Sequence, residues 1–230
     1  MNSITSLLHR MTQESIQWET IGDRRHIFLQ CYTLMSQNMY SAIGTKHFKD
    51  PQWVSNLLVR FSEYYFDALD LYQAEHPEVP QVWKQAHDAT KNPETHVLQN
   101  LLLGINAHIN YDLPLALYDC LETEWPNCDR PKKILRKEDH QLVNQIISAS
   151  IDEVQETIIK PISPSLAIID NILGPIDEWI LSRLISSWRT DVWEVSELLL
   201  EAKSPEKRKE IILKQEAEVF ERGEKLLRIF

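Results

Sequence analysis

Glycine is the residue this chain most conspicuously lacks. Five occur in 230 residues, at positions 22, 44, 104, 174 and 223, where ordinary usage would give about 16. Sheet proteins need glycine at hairpins, bulges and tight turns. The scarcity therefore excludes a sandwich, a barrel or a doubly wound fold. It also excludes glycine-rich phosphate loops, and neither G-x-G-x-x-G nor G-x-x-x-x-G-K-[ST] is present. No Asn-Gly hairpin signal occurs. What remains is an all-α chain, and the helix signals agree.

Apolar residues recur at helical spacing over 2–20, then over 24–42, where Ile27, Phe28, Cys31, Leu34, Met35 and Met39 form one stripe. Gly22-Asp23 separates these two segments, and Gly44 ends the second. Asp50-Pro51 pairs a cap with a proline at the first helical position, opening a helix to about residue 75 that His76-Pro77 terminates. A short helix spans about 81–90. A long one starts from Asn92-Pro93-Glu94-Thr95, with Pro114 placed to kink or end it. A loop is expected over 124–137 and a helix over 138–159. Breaks follow at Pro161–Pro164 and Gly174-Pro175, and the latter opens a helix to residue 200. Ser204-Pro205 starts a charged, peripheral helix over 204–230. The expectation is one domain over residues 1–230, a bundle of seven or eight helices around a buried central helix at about 94–113.

The formal charge of −10 repels phosphate backbones, so general nucleic-acid binding is disfavoured. Arg130, Lys132, Lys133, Arg136 and Lys137 form the one basic cluster, which reads as a solvated loop. The three cysteines, Cys31, Cys120 and Cys128, include no C-x-x-C and fit a reduced setting. Residues 1–10 lack the pattern of a signal peptide, and no run of 18 apolar residues spans a membrane. The localisation expected from these features is cytoplasmic.

The segment from Leu101 to Leu117 is apolar on every side, yet Asn106, His108, Asn110 and Asp112 lie inside it. Buried polar groups without partners cost several kcal/mol (about 2–7 by transfer), so four in seven residues need a reason. At about 100° per residue, His108 and Asp112 share one helical face, and Asn106 and Asn110 share another. Gly104 stands one turn before His108 and leaves room there for a helix or a ligand. His96 falls nearer the Asn110 side.

A His-x-x-x-Asp pair can give two ligands to Zn²⁺ or another divalent ion. Asp23 with His26 could complete the shell, as could Glu63 with Asp67, or His140 with Asp139 and Asn144. Catalytic candidates are then His108, Asp112, Asp67 and Glu63. Metal candidates are His108, Asp112, His26 and Asp23. Ligand-binding candidates are Asn106, Asn110, His96, Tyr64, Arg189 and Trp193. In the alternative reading the same polar groups form a structural network.

The block Leu102-Leu103-Gly104-Ile105-Asn106-Ala107-His108-Ile109-Asn110-Tyr111-Asp112-Leu113-Pro114 resembles the signature of an uncharacterised bacterial family of helical proteins, a domain of unknown function. That resemblance implies the fold and no activity. His108, Asp112 and the following Pro114 also resemble, more distantly, the central-helix ligands of the zinc-dependent phospholipase C and P1-type nuclease fold. The H-x-x-x-E pair of that family is missing here, so this likeness implies at most a one- or two-metal remnant.

Three functions follow as expectations. The first is a metal-dependent hydrolase of phosphate or ester bonds, with a metal-bound water as nucleophile. The second is a metal-free helical pocket that binds or rearranges a hydrophobic small molecule. The third is a non-enzymatic scaffold.

Overall fold

Polar caps followed by proline mark where helices begin, and they do so more often than the spacing alone suggests. In the computed structural model, which describes residues 3–45, 47–162 and 176–228 (side chains of the last stretch from 183 on), Asp50, Asp129 and Ser204 each cap a helix with Pro at its start. Each side chain accepts a backbone N–H in the first turn: Trp53 N at 3.1 Å, Lys132 N at 2.9 Å and Lys207 N at 3.2 Å respectively.

The helices are α1 (Ser3–Thr20), α2 (Arg25–Gly44), α3 (Pro51–Gln73), α4 (Gln81–Lys91), α5 (Val97–Ala107), α6 (Leu113–Leu121), α7 (Arg130–Val154), α8 (Ile176–Glu201) and α9 (Pro205–Leu226). A π-helical turn, His108–Asp112, joins α5 to α6 in one continuous rod. A second, Gln155–Ile159, extends α7. The described residues thus form eight helical rods and no strand, as expected. None of these helices is long and apolar enough to cross a membrane.

Two apolar clusters meet along the α5–α6 rod. One gathers Met11, Leu29, Tyr65, Leu69, Trp83, Leu103 and Val219. The other gathers Trp53, Leu117, Leu121, Trp188, Val192 and Trp193. Ile105 packs against both. The rod is buried because helices cover it all round, which is what an apolar surface on every side requires.

Three expectations change. The segment 124–137 is not a loop: α7 begins at Arg130, eight residues early, because Asp129-Arg130-Pro131 is a cap and proline start of the same kind as Asp50-Pro51. Its basic cluster is therefore a helix N-terminus tied into ion pairs. Arg136 is buried and bonds Glu124 and Asp50, and Lys132 reaches Glu124. The central rod begins at Val97 rather than 94, because His96 is its cap. It also passes Pro114 without ending. Finally, α9 is not peripheral: Val219 is fully buried, and Gln99 and Asn106 of the rod both donate to α9 and its C-terminal end. The Gly174-Pro175 start and residues 163 and 164 of the Pro161–Pro164 break lie outside the described residues, while the helix runs on through Pro161 to Ile162.

Two glycines hold positions that other residues would strain. Gly22 has φ +73° in the turn between α1 and α2. Gly104 faces Phe28 so closely that a Cβ there would sit 2.5 Å from its Cδ2 and 3.0 Å from its Cβ. What comes close at Gly104 is thus the α2 helix, through an aromatic ring. Gly104→Ala is expected to lose about 1–3 kcal/mol in chemical unfolding through overpacking, despite the better helix propensity of alanine. Equal or greater stability would show that Phe28 yields freely.

Candidate functional site

The site is built by one missing hydrogen-bond donor. Pro114 has no N–H for the Asn110 carbonyl, and its ring crowds that carbonyl. The rod responds by widening: Leu113 N bonds to His108 O, five residues back, and the π-turn forms. The released Asn110 carbonyl is taken by Gln215 Nε2 of α9 at 2.7 Å. The wider turn aligns residues four apart more nearly than an α-helix does. Two such pairs bond here, one within the turn and one reaching back into α5: His108 Nδ1 with Asp112 Oδ2 at 2.9 Å, and Asn110 Nδ2 with Asn106 Oδ1 at 3.0 Å.

The Asn pair is structural in its contacts. Asn106 Nδ2 donates to Val219 O at 2.9 Å, so the pair pins α9 to the rod. His108 and Asp112 face the other way, into aromatic rings from α2, α3 and α4. Phe61 lies flat on the imidazole, with centroids 3.6 Å apart and planes 8° apart. Tyr32 stands edge-on at 4.3 Å, with Phe28, Tyr65 and Trp83 further out. Phe28 and Tyr32, and likewise Phe61 and Tyr65, are i, i+4 aromatic pairs, the one sequence signal that could have located the cage. Trp83, on the short helix α4, closes it. Its Nε1–H donates to both Asp112 oxygens at 3.0 Å.

His108 is 3% exposed and Asp112 1%. Burial pushes the His108 pKa well below its ordinary value and the Asp112 pKa well above, the latter raised further by the field of Asp67 and opposed by the Trp83 hydrogen bond. The proton arrangement without a buried formal charge puts O–H on Asp112, donating to His108 Nδ1, and the ring proton on Nε2. Nε2 itself has no partner among the described residues. The dyad is therefore a neutral donor aimed into an aromatic cage.

The other expected partners are held elsewhere. Asp23 binds Arg25 through both oxygens, and His26 Nδ1 meets Gln30 Oε1. Glu63 is exposed and pairs with Arg60. Asp67 is exposed on the outer face of α3. Tyr64 donates to Asp119. His96 accepts the Leu98 N–H as the cap of α5. Asp139 is buried and accepts the backbone N–H groups of Lys49 and Asp50.

Arg189 and Trp193 sit between α7 and α8, away from the dyad's cage. Arg189 donates to Asn144 Oδ1, His140 O and His140 Nδ1, while His140 Nε2 donates back to Arg189 O at 2.9 Å. Trp193 packs on His140 and Trp125.

Among the described residues no three His, Cys, Asp or Glu side chains converge to hold a metal. The expected shell of Asp23, His26, Glu63 or Asp67 around His108 and Asp112 is not assembled. The dyad's own donors are turned to each other and to Trp83. Among the described residues nothing completes a zinc centre around the dyad.

A family profile described as a family of unknown function, DUF5995, matches residues 4–229. The chain belongs to this family. No curated protein and no solved structure matches it, so the likeness to the phospholipase C and P1-type nuclease fold is not shown. In this DUF5995 chain the quoted signature has a physical reading: Gly104 admits Phe28, Pro114 forces the π-turn, and His108 and Asp112 occupy that turn.

Asp112→Asn tests the proton assignment. Its amide can donate to His108 Nδ1 and accept from Trp83, as the protonated acid does. Asp112, with a raised folded pKa, contributes stability that is present below about pH 3.9 and lost as pH rises toward the folded value. The Asn variant is expected to match or exceed the parent Tm at pH 8. A loss of about 3 kcal/mol or more, as for breaking a buried ion pair, would instead mean an ionised Asp112.

His87, His108 and His140 are pushed down by burial, His87 to about 3. Their contribution is full above about pH 6.5 and lost as pH falls below it. Thermal unfolding followed from pH 7 to pH 4 should show Tm falling.

Proposed function

We propose that this protein is a metal-free helical pocket protein that binds, and through His108 polarises, a small hydrophobic molecule bearing an oxygen acceptor. The observation that carries the reading is the buried, unpartnered Nε2 of His108 inside an aromatic cage. A buried donor without a partner costs about 1–3 kcal/mol, a cost that a ligand oxygen would remove. Ligand pockets combine apolar and aromatic walls with a few placed polar groups, and this cage has that composition.

The residues divide the work. Asp112 holds the imidazole and keeps the ring proton on Nε2, Trp83 orients Asp112, and Nε2–H donates to a carbonyl or hydroxyl oxygen. Should chemistry follow, the dyad can supply a proton to that oxygen and recover it from solvent or product. Phe61 is half-buried and stacked on the imidazole, so it is the ring a ligand would displace. The hydrolase expectation needed His108 and Asp112 as metal ligands. Their hydrogen bonds to each other and to Trp83 favour the metal-free reading.

The test compares acetophenone with ethylbenzene, which matches its shape without the acceptor. Acetophenone is expected to raise Tm more than ethylbenzene in the parent. His108→Leu is expected to abolish that difference while remaining folded. Equal shifts by the two compounds in the parent would overturn the proposal. So would an unchanged preference in His108→Leu. A collapse of stability in His108→Leu, with no preference in the parent, would make the dyad a structural network only.

A further inference from the structure

A second feature lies on the exposed face of α4, about a quarter turn round from Trp83 and His87. Trp83 and His87 are buried, whereas Lys84, Asp88 and Lys91 of the same helix line an open groove of about 670 Å³. Tyr72 and Glu75, at the end of α3, and Arg25 complete its charged and aromatic wall. The volume falls in the range of small-molecule sites, about 300–1,000 Å³. In a chain of net charge −10, the groove gathers three cations against two acids, a local reversal of sign.

Most of these charges are committed. Arg25 is held by Asp23. Lys91 lies over the Tyr72 ring and 3.7 Å from Asp88, and Tyr72 donates to Asp88 at 2.7 Å. These bonds fix the Tyr72 ring as a flat wall. Two charges are left over: neither the Lys84 ammonium nor the Glu75 carboxylate has an ion pair or side-chain hydrogen bond among the described residues.

The backbone at Glu75 sharpens this. Glu75 has φ 51° and is the one described non-glycine residue with positive φ. It occupies the left-handed position that closes α3, with His76 N bonding Leu71 O at 2.9 Å and Glu75 N bonding Tyr72 O at 3.1 Å. Glycine is the usual occupant, since a Cβ there costs about 1–2 kcal/mol. A residue that opposes the local backbone therefore places a free carboxylate at the groove's rim. Strained positions of this kind cluster at binding sites.

We infer that the groove binds a small zwitterionic molecule, one carrying a carboxylate or phosphate group and an amine. Its anionic group meets Lys84, with Lys91 and Arg25 adding to the field. Its ammonium meets Glu75, and its body lies against Tyr72. This site is separate from the dyad and stands or falls independently of it.

Binding is measured by calorimetry on the full chain at constant ionic strength, with β-alanine and O-phosphoethanolamine as probes. Acetate and inorganic phosphate are the single-charge controls. At least one zwitterion is expected to bind more tightly than its control, and the stronger of the two identifies carboxylate or phosphate as the anion. Lys84→Ala is exposed and should stay folded while weakening binding by about ten-fold or more, the loss of one charge-assisted contact. Glu75→Gly should raise the Tm of the free protein and erase the preference for zwitterion over control. Unchanged binding in Lys84→Ala, equal binding of zwitterions and controls, or an effect reproduced by sodium chloride would each overturn the inference.

Discussion

The bond that Pro114 cannot make organises the centre of this molecule. Without an N–H at 114 the rod opens into a π-turn, and the freed Asn110 carbonyl must be satisfied from outside. Gln215 of α9 does this, and α9 is thereby drawn onto the rod. The same turn stacks His108 over Asp112 and Asn106 over Asn110. One face of the turn anchors a helix through amides, and the other presents a neutral acid–imidazole pair to aromatic rings.

Burial then decides the charge state of everything near the centre. Burial pushes the His108 pKa down and the Asp112 pKa up, which favours the neutral pair over the ion pair that their 2.9 Å contact would otherwise allow. His140 is neutral for a more specific reason: Arg189 donates to its Nδ1, so that nitrogen must keep its lone pair. Arg189 has no carboxylate partner among the described residues and relies on the oxygens of Asn144 and His140, and burial lowers its pKa to about 9. The buried cations Arg136 and Arg189 are held by oxygen acceptors, and most other formal charges lie at the surface. At the surface α4 lines an open groove with Lys84, Asp88 and Lys91, while its buried face carries the Trp83 donor that holds Asp112.

Much of the fold was legible in local chemistry. Asp50-Pro51 and Ser204-Pro205 announce helix starts because a cap and a proline act within one turn. The start at Asp129-Pro131 uses the same chemistry, obscured by the charges around it. In the site, the i, i+4 spacing of His108 and Asp112 marked the pair, and the apolar run around them marked its burial. The aromatic cage was not legible, because Phe28, Phe61 and Trp83 come from three helices and only packing brings their rings to one imidazole. Nor was the separation of Asp23, His26, Glu63 and Asp67 from the dyad. Residue type makes each a possible ligand, and orientation within the bundle turns each away.

Sequence alone determined that the chain is helical, that the segment around residue 105 is its buried axis, and that His108 and Asp112 share a face. These depend on glycine content, periodicity and spacing, which are local properties. Tertiary structure alone decided which neighbours the pair has, that Gly104 receives Phe28, and that α9 belongs to the core. These depend on how rods cross, and a periodic pattern carries no information about which rod will lie against which.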